Sequence, residues 1–370
     1  MPIRIRNHVG AERLRQPTTE AIVSPPTIVD VANACNVSAS TVSLVISDHP
    51  RIPAATKEKI RKKIDDLGYR PNPMARSLVS GHTGIIAVLV PPAENVFSDP
   101  FYAQALDGIY SIVKPRGYRI ILEVGDESFW TKEEYRRLAS DRLAEGVIFL
   151  GGLESEHKKL ASLETPCRYV VVGEGSARIR GLPRVSGDNF KGGLAATNYL
   201  LNLGHKNIAH IHGDIKVVSV RERLRGYLRA LSDGGVLFAP DLAMDGRFCE
   251  WDAYLAAKTL LSSTNPPTAI FAGNDLMAFG AIRAAASLGL NVPCDVSVVG
   301  MDDIPAAADF SPPLTTVKYP VFAMGSFAAA ALIDSVKNDT ACKISKTLKV
   351  DLVVRKSAAA PSIALKKICR

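Results

Sequence analysis

From Gly84 onward the chain alternates short, almost wholly apolar runs with amphipathic stretches long enough for a helix. The runs fall at residues 85–90, 120–124, 147–150, 169–172, 208–211, 269–272 and 296–299. A strand covered on both faces has no reason to alternate polar and apolar side chains, so it reads as a continuous apolar run. Such strands, linked by helices through right-handed crossovers, build an α/β fold of doubly wound parallel sheets. A length of 370 residues exceeds the roughly 100–200 residues of one domain. Two lobes with a cleft between them are therefore expected. In open α/β sheets ligands sit beyond the carboxyl ends of the strands, which makes the cleft the default site.

The chain before Gly84 has a different character. Residues 1–26 carry four arginines, no long apolar period and the breaker run Ser24-Pro25-Pro26. They read either as a tail or as the product of a start site nearer Val23. Residues 27–70 then read as three short helices. Thr27-Ile28-Val29-Asp30 fits a capping box, with Ile28, Val31 and Ala32 on one face. Asn36 ends the first helix, and Ser38 caps a second with Val42, Val45 and Ile46 inward. A third runs from about Ala54 to Leu67, with Gly68 suited to its left-handed cap. Residues 71–82 open with Pro71 and Pro73 and hold one or two helical turns, too few to be stable alone.

Charge follows the same division. The net charge is +8, of which residues 1–82 hold +5. A helix fits the DNA major groove and presents its amino-terminal residues to base edges. Beside such a helix, the basic stretch 57–63 is either a solvated face or a phosphate-contacting one.

Signals for other chemistries are weak or missing. The sequence has no G-x-x-x-x-G-K-[ST], H-E-x-x-H or G-x-S-x-G motif. His210 and His212 share one side of a strand near His205, but two histidines without a clear third ligand make a poor metal site. Six scattered cysteines read as free thiols of a reducing compartment. No run approaches about 18 apolar residues, and the amino terminus has no apolar core for secretion. The expectation is a cytoplasmic, non-catalytic protein without membrane partner, cofactor or metal.

Residues 27–78, TIVDVANACNVSASTVSLVISDHPRIPAATKEKIRKKIDDLGYRPNPMARSL, resemble the headpiece of the LacI/GalR family of bacterial transcription regulators. The likeness continues in DPFYAQALDGI, RVSGDNFKGG, LGHKNIAHIHGD, RERLRGY, PTAIFAGNDLMAFGAIRAA, DVSVVGMDDI and SPPLTTVKYP. It implies a helix-turn-helix headpiece (27–70), a hinge helix (71–82) and a periplasmic-binding-protein-like core (83–357), followed by a tail at 358–370. The core's first lobe is placed at 83–185 and 318–345. The second is placed at 186–317 and 346–357, with 348–355 as its returning strand. The resemblance implies a homodimer, with a tetramer left open. It also implies a palindromic operator whose affinity is switched allosterically by a sugar or sugar derivative.

Residue roles follow from the same likeness. Base-reading positions fall on Ala39, Ser40 and Leu44, flanked by Ser38 and Thr41; Thr27, Ser43 and Arg76 meet the DNA backbone. Leu44 cannot donate to guanine: it either meets a thymine methyl or packs on the headpiece core. Leu78, with Met74 and Ala75, matches a minor-groove wedge. In the cleft the matching positions are Arg221, Asn274 and Asp302, with Phe248 and Phe101 as apolar walls. Three of these have a plainer alternative. Arg221 could pair with Glu222 or Asp214, and Trp251 competes with Phe248. Asp302 could simply turn the chain after its strand. Many relatives carry aspartate where this chain has Gly173-Glu174, so Glu174 is the candidate there. Asp188-Asn189 reads mainly as a helix cap.

Overall fold

The computed structural model describes residues 25–71, 82–92, 96–140, 143–163, 168–176 and 178–361. The expected hinge residues Met74, Ala75, Arg76 and Leu78 lie outside them. The chain divides into two units at residues 81 and 82.

In the first unit, helix α1 (Ile28–Cys35) starts in the expected box. Thr27 N donates to Asp30 Oδ2 at 2.8 Å, and Asp30 N donates back to Thr27 Oγ1 at 3.4 Å. The helix stops at Asn36, whose φ of 57° is left-handed. Helix α2 (Ala39–Ile46) is capped by Ser38 Oγ, which accepts from Thr41 N at 3.1 Å. Its axis turns 104° from that of α1, within the helix-turn-helix range. Helix α3 (Ala54–Asp66) closes a small core of Val31, Ala32, Cys35, Val42, Val45 and Ile60. None of the three is long enough to persist alone, so their stability is this shared core.

The second unit alternates as expected. In order it comprises β1 (Ile85–Val90), α4 (Pro100–Val113), β2 (Arg119–Val124), α5 (Glu127–Thr131), α6 (Glu134–Ser140), β3 (Gly146–Leu150), α7 (Glu154–Ala161), β4 (Tyr169–Val172) and β5 (Arg184–Gly187). Then come α8 (Asn189–Asn202), β6 (Ile208–His212), α9 (Val218–Asp233), β7 (Ala243–Asp245), α10 (Glu250–Leu261), β8 (Ala269–Ala272) and α11 (Asp275–Ser287). The unit ends with β9 (Ser297–Asp302), α12 (Pro305–Asp309), β10 (Thr315–Lys318), α13 (Val321–Lys337), β11 (Ser345–Leu348) and β12 (Asp351–Val353). Among the described residues no single helix is long and apolar enough to cross a membrane.

These strands form two six-stranded sheets, ordered β11-β5-β4-β3-β1-β2 and β12-β10-β9-β8-β6-β7. Pairing is parallel except between β10 and β12. The chain passes between the sheets three times: after β5, after β10 and after β11.

The expected lobe boundaries are corrected by this pairing: β5 (Arg184–Gly187) and β10 (Thr315–Lys318) run past the breaks expected after residues 185 and 317. Residues 345–348 were divided between the lobes, and 348–355 was expected as one returning strand of the second. Instead β11 lies beside β5, Ser345 opposite Arg184 and Leu348 opposite Gly187, in the first sheet. Only Asp351–Val353 returns to the second, so the crossing takes just Lys349 and Val350.

Within the second lobe, α8 and α9 touch at backbone distance. A Cβ on Gly193 would stand 2.1 Å from the Arg223 carbonyl oxygen, and one on Gly226 2.2 Å from that of Phe190. Only glycine permits this approach, and it sets how deep α9 sits under the cleft.

Candidate DNA-binding and ligand-binding sites

The amino terminus of α2 is a hydroxyl-rich surface. Ser38, Ser40 and Ser43 are exposed. Thr41 Oγ1 lies 2.9 Å from Ser38 Oγ. Ala39 is half-buried and packs on the headpiece core. Leu44 is also half-buried, but it is not part of that cluster. Thr27 spends its hydroxyl locally, donating to Asp30 Oδ2 at 2.7 Å. Of the basic stretch, Lys57 and Arg61 are tied to Asp48 at 2.9 and 2.7 Å, whereas Lys59 and Lys62 are exposed.

In the second unit, the carboxyl ends of β6, β8 and β9 bring Gly213, Asn274 and Asp302 together beside α9. Here Arg223, not Arg221, is the buried cation. Its Nε donates to Asn189 Oδ1 at 3.0 Å, and its Nη1 donates to the Gly273 carbonyl. Nη2 stands 3.9 Å from Asp302 Oδ1. Asn189 Nδ2 in turn donates to Glu174 Oε2 at 3.1 Å and to the Tyr319 hydroxyl at 3.0 Å. The expected cap role belongs to Asp188, which accepts from Lys191 N at 2.9 Å.

Asp302 reaches the cleft on a strained turn. Its φ is 126° and that of Asp303 is 59°, each costing about 1–3 kcal/mol outside a held setting. The fully buried Asp275 holds the turn. Its Oδ2 accepts from Ile304 N at 2.9 Å and its Oδ1 from Thr316 Oγ1 at 2.5 Å. Arg355 clamps the far side, donating to Asp303 Oδ1 at 2.6 Å. Burial pushes the Asp302 carboxyl well above its ordinary range; Arg223 opposes this, while Asp275 and Asp99 add to it. Burial likewise raises Asp275 to about 7 against the pull of its hydrogen bonds. It also raises Glu174, against the hydrogen bond from Asn189.

Asn274 caps α11, its Oδ1 accepting from Met277 N at 2.8 Å. With that oxygen already accepting at the cap, the amide Nδ2 is the group of Asn274 left to donate to a ligand. Phe248 lies against Gly213, where a Cβ would come 2.4 Å from its ring. Trp251 is 64% exposed and stacks on Tyr254 at 5.2 Å, so it does not compete for that position. Phe101 is half-buried on the other lobe, edge-on to Tyr102 and 4.0 Å from a Cβ built on Gly151.

Arg221 lies apart from this group. Its Nη2 donates to Glu154 Oε2 of the first lobe at 3.1 Å, and its Nη1 to the Ile215 and Lys216 carbonyls at 2.9 and 2.8 Å. Neither expected alternative holds: Glu222 pairs with Arg225, and Asp214 accepts from Lys216 N. The helical period carried the signal that was missed. Val220, Arg223, Tyr227, Ala230 and Leu231 share the buried face of α9, and residues two apart on a helix do not share a face. Tyr319 and Asp275 had no comparable signal, being a loop tyrosine and one acid in a helix start.

The histidines serve the fold. His205 reaches Thr268 at 2.9 Å and the Ala359 carbonyl at 2.8 Å. His210 reaches the Phe271 carbonyl at 2.9 Å and stacks on that ring. Among the described residues, no three His, Cys, Asp or Glu side chains are grouped to hold a metal.

A helix-turn-helix unit ahead of two doubly wound lobes, with a polar cleft at their strand ends, defines a DNA-binding regulator built on a ligand-binding core. Residues 27–72 match the model of bacterial regulatory proteins of the lacI family, and residues 197–358 that of a periplasmic binding protein-like domain. The HTH-type transcriptional repressor PurR of Vibrio campbellii is 32% identical over 330 residues, spanning 89% of this chain and 97% of the relative. The chain belongs to the LacI family. Among solved structures, a complex of the transcriptional regulator CelR with cellobiose is 31% identical with a TM-score of 0.69, covering 90% of this chain and all of that one. The Lac repressor dimer bound to operator and the anti-inducer ONPF is 26% identical with a TM-score of 0.82, covering 91% and 100%.

Proposed function

We propose that this protein is a cytoplasmic repressor whose affinity for a palindromic operator is switched by a small polyhydroxylated ligand, a sugar or sugar derivative. The observation that carries the reading is the buried Arg223–Asp302 pair at the carboxyl ends of the second sheet. A guanidinium beside a carboxylate meets vicinal hydroxyls as donor and acceptor together. Asn274 adds a donor, and Phe248 and Phe101 offer apolar faces to a sugar ring. The cellobiose held by CelR and the operator held by the Lac repressor dimer support the same assignment. On the headpiece, α2 enters the major groove with Ser38, Ala39, Ser40, Thr41 and Leu44, while Thr27 and Ser43 lie along the backbone. Arg76, Met74, Ala75 and Leu78 take the hinge roles. The working form is a homodimer, for which the exposed Trp251 and Leu255 of α10 offer an apolar face. The cleft performs no catalysis.

The test combines two measurements on the purified full chain. Binding to a palindromic duplex selected from a random library should weaken steeply with salt and vanish when residues 1–82 are deleted. A panel of neutral sugars should contain one that raises the melting temperature and changes duplex affinity. A protein that binds a sugar but no duplex would overturn the regulatory reading.

A further inference from the structure

The mouth of the cleft is spanned by backbone and side-chain contacts between the lobes. Leu153 and Val217, from opposite lobes, form an antiparallel bridge. Beside it Arg221 reaches across to Glu154 at 3.1 Å. The guanidinium is already aimed, since its Nη1 donates to the Ile215 and Lys216 carbonyls on its own side. Little side-chain entropy therefore remains to be lost on pairing.

Glu154 has two rivals for its charge in its own lobe. Lys158 Nζ stands 3.3 Å and Arg178 Nη1 3.8 Å from Oε1, the oxygen Arg221 does not use. Oε1 is buried, and neither cation meets it with hydrogen-bond geometry. On opening, Glu154 would keep both cations, whereas Arg221 would lose its carboxylate. The contact is thus cheap to break from one side and directional from the other.

We infer that Glu154 and Arg221 form a latch that holds the two lobes together across the cleft mouth, with Lys158 and Arg178 setting how easily it releases. This deepens, and rests on, the reading of the cleft as a ligand site. Arg221 regulates entry, while Arg223 meets the ligand.

The test reads lobe separation directly and uses neither operator nor sugar. Spin labels are carried on unnatural amino acids at the exposed positions Lys132 and Arg247, one per lobe. Labelled full-length protein is diluted with unlabelled protein, and distance distributions are recorded by double electron–electron resonance. Arg221→Ala and the isosteric Glu154→Gln should both shift the distribution to longer separations. Raising KCl should do the same to the wild type and little to either variant, since exposed charges are screened. The double variant Lys158→Ala/Arg178→Ala should shift it shorter, because Glu154 is left to Arg221 alone. Any other pattern overturns the latch, while a ligand-binding cleft without a latch would still pass the sugar panel above.

Discussion

The guanidinium of Arg223 stands 5.2 Å over the ring of Tyr319, and the two are also joined through Asn189, which accepts from one and donates to the other. Tyr319 follows β10, where the chain returns to the first lobe, and its hydroxyl also accepts from Gly187 N at 3.2 Å, at the first crossing. The buried Arg223 is therefore joined, through Asn189 and Tyr319, to two of the three connections between the lobes. This is a short physical route from an occupied cleft to the angle between lobes.

Replacing Arg223 should separate ligand response from DNA binding. Arg223→Lys keeps the charge but loses the planar fork that serves Asn189, Gly273 and Asp302 at once. We expect at least a tenfold loss of affinity for the sugar identified by the panel, read by calorimetry, with duplex affinity in its absence nearly unchanged. Arg223→Met should in addition destabilise the chain by about 3–5 kcal/mol, because Asp302 is left buried without its cation. Arg221→Lys should leave calorimetric affinity within a few-fold of wild type.

Two buried groups, Asp275 and His210, give stability opposite dependences on pH. Asp275 is raised to about 7 in the fold, so the folded state holds its proton more tightly than the unfolded chain. Its contribution is full below about 4 and is lost as pH rises through about 7. His210 is lowered to about 3 by burial; its contribution is full above about 6.5 and is lost as pH falls toward 3. Between about pH 4 and 6.5 the two slopes oppose each other, so Asp275→Asn should make the melting temperature rise more steeply with pH there. His210→Phe, which preserves the stack on Phe271, should make it fall more steeply over the same range.

Gly193→Ala and Gly226→Ala force a methyl into a contact already closed at 2.1 and 2.2 Å. Each should cost about 1–3 kcal/mol by overpacking, visible as a lower urea midpoint. Only Gly193 faces the Arg223 backbone, so Gly193→Ala should also weaken sugar binding beyond what Gly226→Ala does.

Leu44→Arg should change the base preferred at one position of each half-site, scored by selection from a randomised library. The side chain lies outside the headpiece core cluster, so the variant should fold and melt like the parent. An unchanged preference would return Leu44 to a packing role.

Much of this was legible in the sequence because burial on both faces leaves an unmistakable mark. All seven apolar runs became strands, and the box at Thr27, the stop at Asn36 and the cap at Ser38 lie where the residues put them. The strands without such a run, β5, β7, β10, β11 and β12, are three or four residues long and rich in polar side chains, and of these β12 lies within the expected returning strand 348–355. Three of the five, β7, β11 and β12, are sheet edges, where half the burial signal is lost. Among candidate site residues, the motifs of Asn274 and Asp302 place both at strand ends of the second sheet. Arg223, two positions beyond Arg221 along α9, is set apart from it by the buried face of the helix. Tyr319 and Asp275 act through partners distant in sequence, and a contact of that kind leaves no local pattern.

The three crossings between sheets bear on how such regulators can be recombined. Neither lobe is a continuous stretch of the gene, so no single exchange point inside residues 82–361 would hand on one lobe intact. An exchange between β11 and β12, within Lys349-Val350, would give a sheet whose edge strand comes from a stranger. The division at 81 and 82 is different in kind, because one cut there moves a complete small core. Operator choice and ligand choice can therefore be reassorted by one join, whereas the two walls of the cleft must be inherited together.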